Sequence, residues 1–217
     1  MLKKLTIILI VCFGSFSYVH VNFAGEVEDV LTSITEQMSD IKTVSVDFTQ
    51  EKKMAVFSSA IILKGSLLWQ KPDSFSWRVF TPIQYAIVIK DGVAKQWDGE
   101  NNTLHEFKMS SNPVMRVASQ QIQRWFSGQY QELSNEYDVT LSSKNPLSLA
   151  CVPHKDSSEA GIISRVLIQF RGDLKYIDQI TIEELSGDST IIKFENIILN
   201  EIIPADAWSI KVVRPNV

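Results

Sequence analysis

Cys151 and His154 come closest, by residue type and spacing, to a catalytic or metal-binding motif. A thiol and an imidazole three residues apart can act as nucleophile and base, or supply two ligands of a zinc site. Further ligands would be needed for a metal, and the only other histidine after residue 24 is His105. We therefore expect no metal site. A periplasmic hydrolase that uses Cys151 and His154 is kept as the least favoured alternative.

Other catalytic motifs are missing from the sequence. It contains no G-x-S-x-G elbow, no glycine-rich phosphate loop and no H-E-x-x-H pair. Glu183 and Glu184 are adjacent in a predicted strand, so their carboxylates point to opposite faces and do not form an acid and base pair. We predict that the protein is not an enzyme, has no catalytic residues and uses no cofactor.

The stretch from Gly65 to Gly92 concentrates large aromatic side chains in three short segments that alternate as strands do. Leu67 and Trp69 share one face of the first segment, and Phe75 and Trp77 share one face of the second. Such residues are typical of the core of an ordinary antiparallel sheet, and equally of an apolar binding face. Residue types alone leave both interpretations open.

The order of residues in this stretch carries a family resemblance. The pattern G-x-L-x-W-x-K-P-x-x-F-x-W is followed by a proline, an Ile/Val strand and Asp-Gly. The residues that form it are Gly65, Leu67, Trp69, Lys71, Pro72, Phe75, Trp77, Pro82, Ile87, Val88, Asp91 and Gly92. This pattern resembles the outer-membrane lipoprotein carrier (LolA) family of Gram-negative bacteria. The resemblance extends over most of residues 26 to 210.

The resemblance implies an α+β fold, in which a curved antiparallel sheet forms an incomplete β-barrel lidded by α-helices. In such a fold the concave face holds acyl chains. The residues expected to line this groove are Leu67, Trp69, Phe75, Trp77, Val88, Met115, Trp125 and Phe126. Lys71 stands where the family has an arginine thought to hold the lid through backbone carbonyls, so the resemblance makes Lys71 the residue that controls the lid.

The function implied by the resemblance is transport of acylated lipoproteins across the periplasm, from the inner to the outer membrane. The partners would be an inner-membrane ABC-type lipoprotein-releasing complex and an outer-membrane lipoprotein receptor, and we expect a monomer. A specialised carrier of another lipid or glycolipid intermediate is the main alternative. The formal net charge of −4 argues against a nucleic-acid partner, because phosphate backbones are held by clustered basic residues.

Residues 1–24 have the layout of a secretory signal peptide. Lys3 and Lys4 precede an apolar run from Leu5 to Phe13, and Ala24 precedes an acidic segment. The sequence therefore predicts a removed signal at 1–24 and a single carrier domain at 25–217, soluble in the periplasm. An N-terminal anchor that is not cleaved is the alternative.

Helices and strands flank the aromatic stretch in the order that the family shows. An amphipathic helix is predicted from Glu26 to Met38, followed by a strand that ends at Gln50, and a meander of strands is predicted from Leu147 onward. A second helix is predicted to begin at Pro113 and to end at Gly128. This helix is interpreted either as a fixed core helix or as a movable lid over a hydrophobic groove.

Overall fold

Eleven antiparallel strands form one sheet. The computed structural model describes residues 23–111, 123, 125–157 and 159–210. In chain order the strands are β1 (Thr43–Lys53), β2 (Ile61–Gln70), β3 (Ser74–Thr81), β4 (Tyr85–Lys90), β5 (Val93–Asp98), β6 (Thr103–Lys108), β7 (Tyr137–Lys144), β8 (Leu147–Pro153), β9 (Ile163–Phe170), β10 (Ile177–Glu184) and β11 (Ser189–Leu199). Their order across the sheet is β6-β5-β4-β3-β2-β1-β11-β10-β9-β8-β7.

The first and last strands meet in the middle of this sheet. β1 pairs with β11 from Val44 opposite Leu199 to Lys53 opposite Ser189. On either side, each strand pairs with its neighbour in sequence, as in hairpins and meanders. β6 and β7 therefore lie at opposite edges, and the sheet is not closed. This confirms the predicted incomplete barrel.

The helical segments among the described residues are few, and they connect or cover the sheet. The helix α1 (Phe23–Met38) buries Leu31, Ile34 and Met38, which helical spacing places on one face. The segment between β6 and β7, residues 109–136, is called here the crossing link; residues 109–111, 123 and 125–136 of it are described. It contains 3₁₀ turns at Met109–Ser111 and Tyr130–Asn135, and residues 125–127 are helical.

The crossing link packs on one face of the sheet, called here the inner face. Phe126 meets Phe194 of β11 edge to face, with the ring centroids 5.6 Å apart. Tyr130 meets Phe170 of β9 in the same way at 5.1 Å. The buried residues of α1, the sheet and the crossing link belong to one hydrophobic cluster. The core therefore lies between the inner face and this helical layer, as expected for a two-layer domain.

One element differs from the sequence-based expectation. β7 was not predicted, although Tyr137, Val139 and Leu141 alternate with polar residues. An edge strand with so few apolar positions carries a weak pattern, which explains the omission. Most of the helix predicted from Pro113 lies outside the described residues, and its last turn, at residues 125–127, is helical.

The opposite, outer face of β3 and β4 is covered by the segment around the short 3₁₀ turn Ala205–Trp208. The guanidinium of Arg78 donates hydrogen bonds to the backbone oxygens of Ala207, at 2.6 Å, and Ser209, at 2.7 Å. Burial lowers the pKa of Arg78. The ammonium of Lys90 lies 5.7 Å from the ring centroid of Trp208, within cation–π range. The covered face therefore buries polar side chains that would otherwise contact solvent.

Gly65 makes room for an aromatic stack on the inner face. It lies opposite Phe48 of β1 and Val79 of β3. The ring of Phe48 stacks on that of Trp77, with the centroids 3.8 Å apart and the planes 27° from parallel. A Cβ at position 65 would lie 2.6 Å from the Phe48 ring and 1.9 Å from the backbone oxygen of Arg78. The glycine of the sequence pattern is therefore explained by close approach of a ring and a strand.

We expect Gly65→Ala to lower the free energy of unfolding by about 1–3 kcal/mol or more, because the methyl group overlaps a strand backbone that cannot move away. Urea denaturation measures the change. Gly172→Ala is the matched control, since a Cβ there meets no atom within 4 Å. Equal stability of the two variants would contradict the packing described here.

Candidate functional site

Four of the predicted groove residues come together on the inner face. Leu67 lies opposite Trp77, and Trp69 lies opposite Phe75, on the neighbouring strands β2 and β3. Leu67, Trp69 and Phe75 are buried and belong to the hydrophobic cluster, and Trp77 is partly buried against it. Alternation in the sequence identified this face correctly because the period of a strand is two.

The crossing link brings two more predicted residues to the same cluster. Trp125 and Phe126 are both buried. The phenolic hydroxyl of Tyr130 donates to the backbone oxygen of Trp125 at 2.6 Å, which fixes the end of the helical turn. Met115 lies outside the described residues, so its predicted place in the groove stays a prediction.

Val88 does not lie on the inner face. It is opposite Ser76 in the register of β3 and β4, whereas Trp77 is opposite Ile87. Val88 instead lines an outer-face cavity of about 490 Å³ beside Lys90 and Trp208. Its grouping with the groove residues was wrong, because a shift of one residue in register exchanges the two faces of a strand. Ile87 and Ile89 are the residues of β4 that join the inner cluster.

Two cavities flank the contact between α1 and the edge strand β7. One, of about 530 Å³, lies beside Glu26, Leu141 and Lys144. The other, of about 630 Å³, lies beside Leu31 and Gln131. Val27 and Val139 line both, and both volumes are in the range of ordinary ligand pockets. The sequence analysis missed this region because it did not predict β7, whose alternation was the available signal.

Charged groups hold the two ends of α1. Near its first turn, Glu26 forms an ion pair with Lys144 at the end of β7. Just beyond its last residue, the ammonium of Lys71 donates to the backbone oxygen of Ser39 at 2.9 Å. A cation near the carbonyl end of a helix is stabilising. Lys71 thus contacts a backbone carbonyl, which is the type of contact that the family resemblance implied for lid control; that role itself stays a prediction.

Cys151 and His154 have different surroundings. Cys151 is buried in the hydrophobic cluster, where desolvation raises the pKa of its thiol to about 12. The imidazole Nε2 of His154 lies 3.3 Å from a carboxylate oxygen of Asp138, whose side chain is exposed. A nucleophilic cysteine needs a thiolate near neutral pH and access to substrate. The described arrangement supplies neither.

We expect the folded chain from residue 25 onward to react slowly with 5,5′-dithiobis(2-nitrobenzoate) at pH 8, because burial keeps the Cys151 thiol protonated. The thiol should react fully once the chain is unfolded in guanidinium chloride. Val152 is 43% exposed, so Val152→Cys in a Cys151→Ala background is the control that should react rapidly while folded. Rapid reaction of native Cys151 would instead support the hydrolase alternative.

In the part of the chain that the structure describes, none of the helices combines the length and apolar character needed to cross a bilayer. Within the same residues, His, Cys, Asp and Glu side chains do not gather in groups of three or more that could ligate a metal ion.

Comparison with solved structures places this architecture among known folds. MucB superposes with a TM-score of 0.53 at 11% identity, over 87% of this chain and 63% of the MucB chain. An uncharacterized conserved protein from Thermus thermophilus gives a TM-score of 0.50 at 9% identity, over 84% of this chain and 96% of that chain. A LolA superfamily protein from Nitrosomonas europaea aligns over 84% of this chain and 96% of its own, with a TM-score of 0.44 and 11% identity. At these identities the likeness concerns the fold alone.

Sequence comparison is more specific. No curated protein sequence gives a significant match. The family model described as outer membrane lipoprotein carrier protein LolA, however, matches residues 39–211, which include every strand of the sheet. The chain therefore belongs to the LolA family of outer membrane lipoprotein carrier proteins.

Proposed function

We propose that this protein carries acylated lipoproteins across the periplasm by holding their acyl chains between the inner face and the helical layer. The observation that carries the proposal is the shared hydrophobic cluster. It joins Trp69 and Phe75 of the sheet to Phe126 of the crossing link, although the sheet itself is open at both edges. The helical layer can separate from such an open sheet without breaking any pairing between strands.

The energetics require such a protected face. Each CH₂ group kept from water contributes about 0.8 kcal/mol, so one chain of ~16 carbons contributes on the order of 12 kcal/mol. A lipoprotein therefore does not leave a membrane at a useful rate without an alternative apolar environment. An inner face that is already apolar over β1 to β4 and β8 to β11 supplies that environment once it is uncovered.

Release requires that the empty protein also be stable. In the described conformation Trp125 and Phe126 occupy positions against the sheet, so the crossing link competes with cargo for the same apolar surface. The affinity for cargo therefore reflects only the difference in free energy between the protein covered by the crossing link and the protein that holds cargo. The cavities beside Val27 and Val139 are the expected points of entry, since the helical layer meets the edge strand there without filling the space.

The cellular roles follow from the family as further parts of the proposal. The protein would receive cargo from an inner-membrane ABC-type lipoprotein-releasing complex and deliver it to an outer-membrane receptor. It would act without a cofactor and without catalysing a reaction. The buried Cys151 and the pairing of His154 with the exposed Asp138 support this view over the hydrolase alternative. Another lipid with similar acyl chains remains the alternative cargo.

We expect the purified chain, added to spheroplasts of its own cells, to release triacylated lipoproteins into the soluble fraction as a complex. Trp77→Glu should reduce release at least tenfold, because a carboxylate on the inner face must be desolvated beside the cargo. Leu104→Glu, at a residue that is 52% exposed, is the matched control and should release as much as wild type. Circular dichroism and thermal melting establish that both variants are folded.

The wild-type result decides the proposal even if Trp77→Glu does not fold. A folded wild-type protein that releases no lipoprotein would contradict transport of lipoproteins. Mass spectrometry of lipids extracted from the purified protein would then identify the alternative cargo.

A further inference from the structure

Trp69 has a polar group that finds no partner in the part of the chain that the structure describes. Its side chain has no exposed surface. The indole Nε1–H finds no hydrogen-bond acceptor among the described residues. Folded proteins pair the large majority of their buried polar side-chain atoms, so a buried donor left unpaired has a cause that lies either in strain or in function.

The position of this donor connects it with the cover of the inner face. Trp69 is the second-to-last residue of β2 and lies between Val44 and Phe75 on the neighbouring strands. At the adjoining turn, the side-chain amide of Gln123 in the crossing link donates to the backbone oxygen of Asp73 at 3.4 Å. Gln123 of the crossing link therefore contacts the end of the sheet at which Trp69 lies.

Trp69 lies close to one end of the sheet, one residue before the end of β2. The last residues of α1 border the same end, since the ammonium of Lys71 contacts the Ser39 carbonyl just beyond that helix. An amphiphile that enters at this end keeps its polar head outside, so the bond between head and chain lies near the entrance.

We propose that the Trp69 Nε1–H donates a hydrogen bond to the carbonyl oxygen that joins a bound acyl chain to its head group. This inference rests on the proposed function and specifies which chemical group of the cargo is recognised. An alkyl chain has no acceptor, whereas the ester or amide carbonyl at its end is a strong one. The cargo carbonyl supplies the acceptor that this donor lacks among the described residues.

The consequence is selection of acyl over alkyl chains. A site with a buried donor discriminates against a ligand that lacks the matching acceptor, because the donor then stays desolvated and unpaired. The expected preference is about tenfold in affinity, which corresponds to about 1.4 kcal/mol at 25 °C. Apolar contacts with the chain itself do not produce this preference, since both ligand types share them.

The test compares two amphiphiles with the same head group and a chain of sixteen carbons: 1-palmitoyl-lysophosphatidylcholine, an ester, and 1-hexadecyl-lysophosphatidylcholine, its ether. Both are titrated below their micelle concentrations against the chain loaded with 1-N-phenylnaphthylamine, a fluorescent apolar probe without a carbonyl. Wild type should bind the ester about tenfold more tightly than the ether. Trp69→Phe should bring this ratio to about one.

Trp77→Phe is the matched control, because it makes the same substitution on the same face of the sheet. It should weaken both ligands alike and keep the wild-type ratio. If both ligands bind wild type equally well, the hydrogen bond is refuted while apolar binding stands. If neither ligand displaces the probe from wild type, the proposed acyl binding fails and the inference fails with it.

A measurement on wild type alone covers the case in which Trp69→Phe does not fold. In ¹⁵N-labelled protein, the Trp69 indole N–H resonance should move downfield on addition of the ester and stay in place on addition of the ether. The indole signals of Trp97 and Trp208, which lie away from the inner face, serve as internal references. An unchanged Trp69 resonance in the ester complex would overturn the proposal.

Discussion

The open sheet is the constraint on which the rest of the structure depends. Because β1 pairs with β11, the first and last strands lie at the centre of the sheet. The segment between β6 and β7 therefore has to join the two edges of the sheet. The described C-terminal part of the crossing link lies on the inner face, where Phe126 and Tyr130 pack on β11 and β9. A closed barrel would need no such crossing. The cover of the apolar face is thus a direct consequence of strand order.

This arrangement balances two demands on one surface. Side chains such as Trp69 and Phe75 must be shielded from water in the empty protein, yet must become available to an acyl chain. A helical layer that contributes its own aromatic residues shields these side chains from water. Because this layer is not held to the sheet by strand pairing, it can separate and expose them to an acyl chain. Among the described residues, the ends of α1 are accordingly held by single polar contacts, those of Lys71 with the Ser39 carbonyl and of Lys144 with Glu26, and not by extensive ion-pair networks.

The segment that covers the outer face is attached more firmly than the layer on the inner face. Arg78 holds the segment of Ala207 and Ser209 by two short, charge-assisted hydrogen bonds. Breaking them would leave the Ser76 hydroxyl as the remaining acceptor that the structure describes for a buried guanidinium, which is costly. On the inner face, the contacts between the crossing link and the sheet that the structure describes are mainly apolar. The two faces therefore differ in how readily their covers can separate.

The sequence by itself determined the family, the antiparallel meander and the inward alternation of Leu67, Trp69, Phe75 and Trp77, because the two-residue period of a strand is a local property. Tertiary structure decided what local pattern cannot express. The register between β3 and β4, which the turn before β4 sets, places Val88 on the outer face. Burial in the core made Cys151 an unreactive thiol, and only packing of the whole domain left the Trp69 N–H without an acceptor among the described residues.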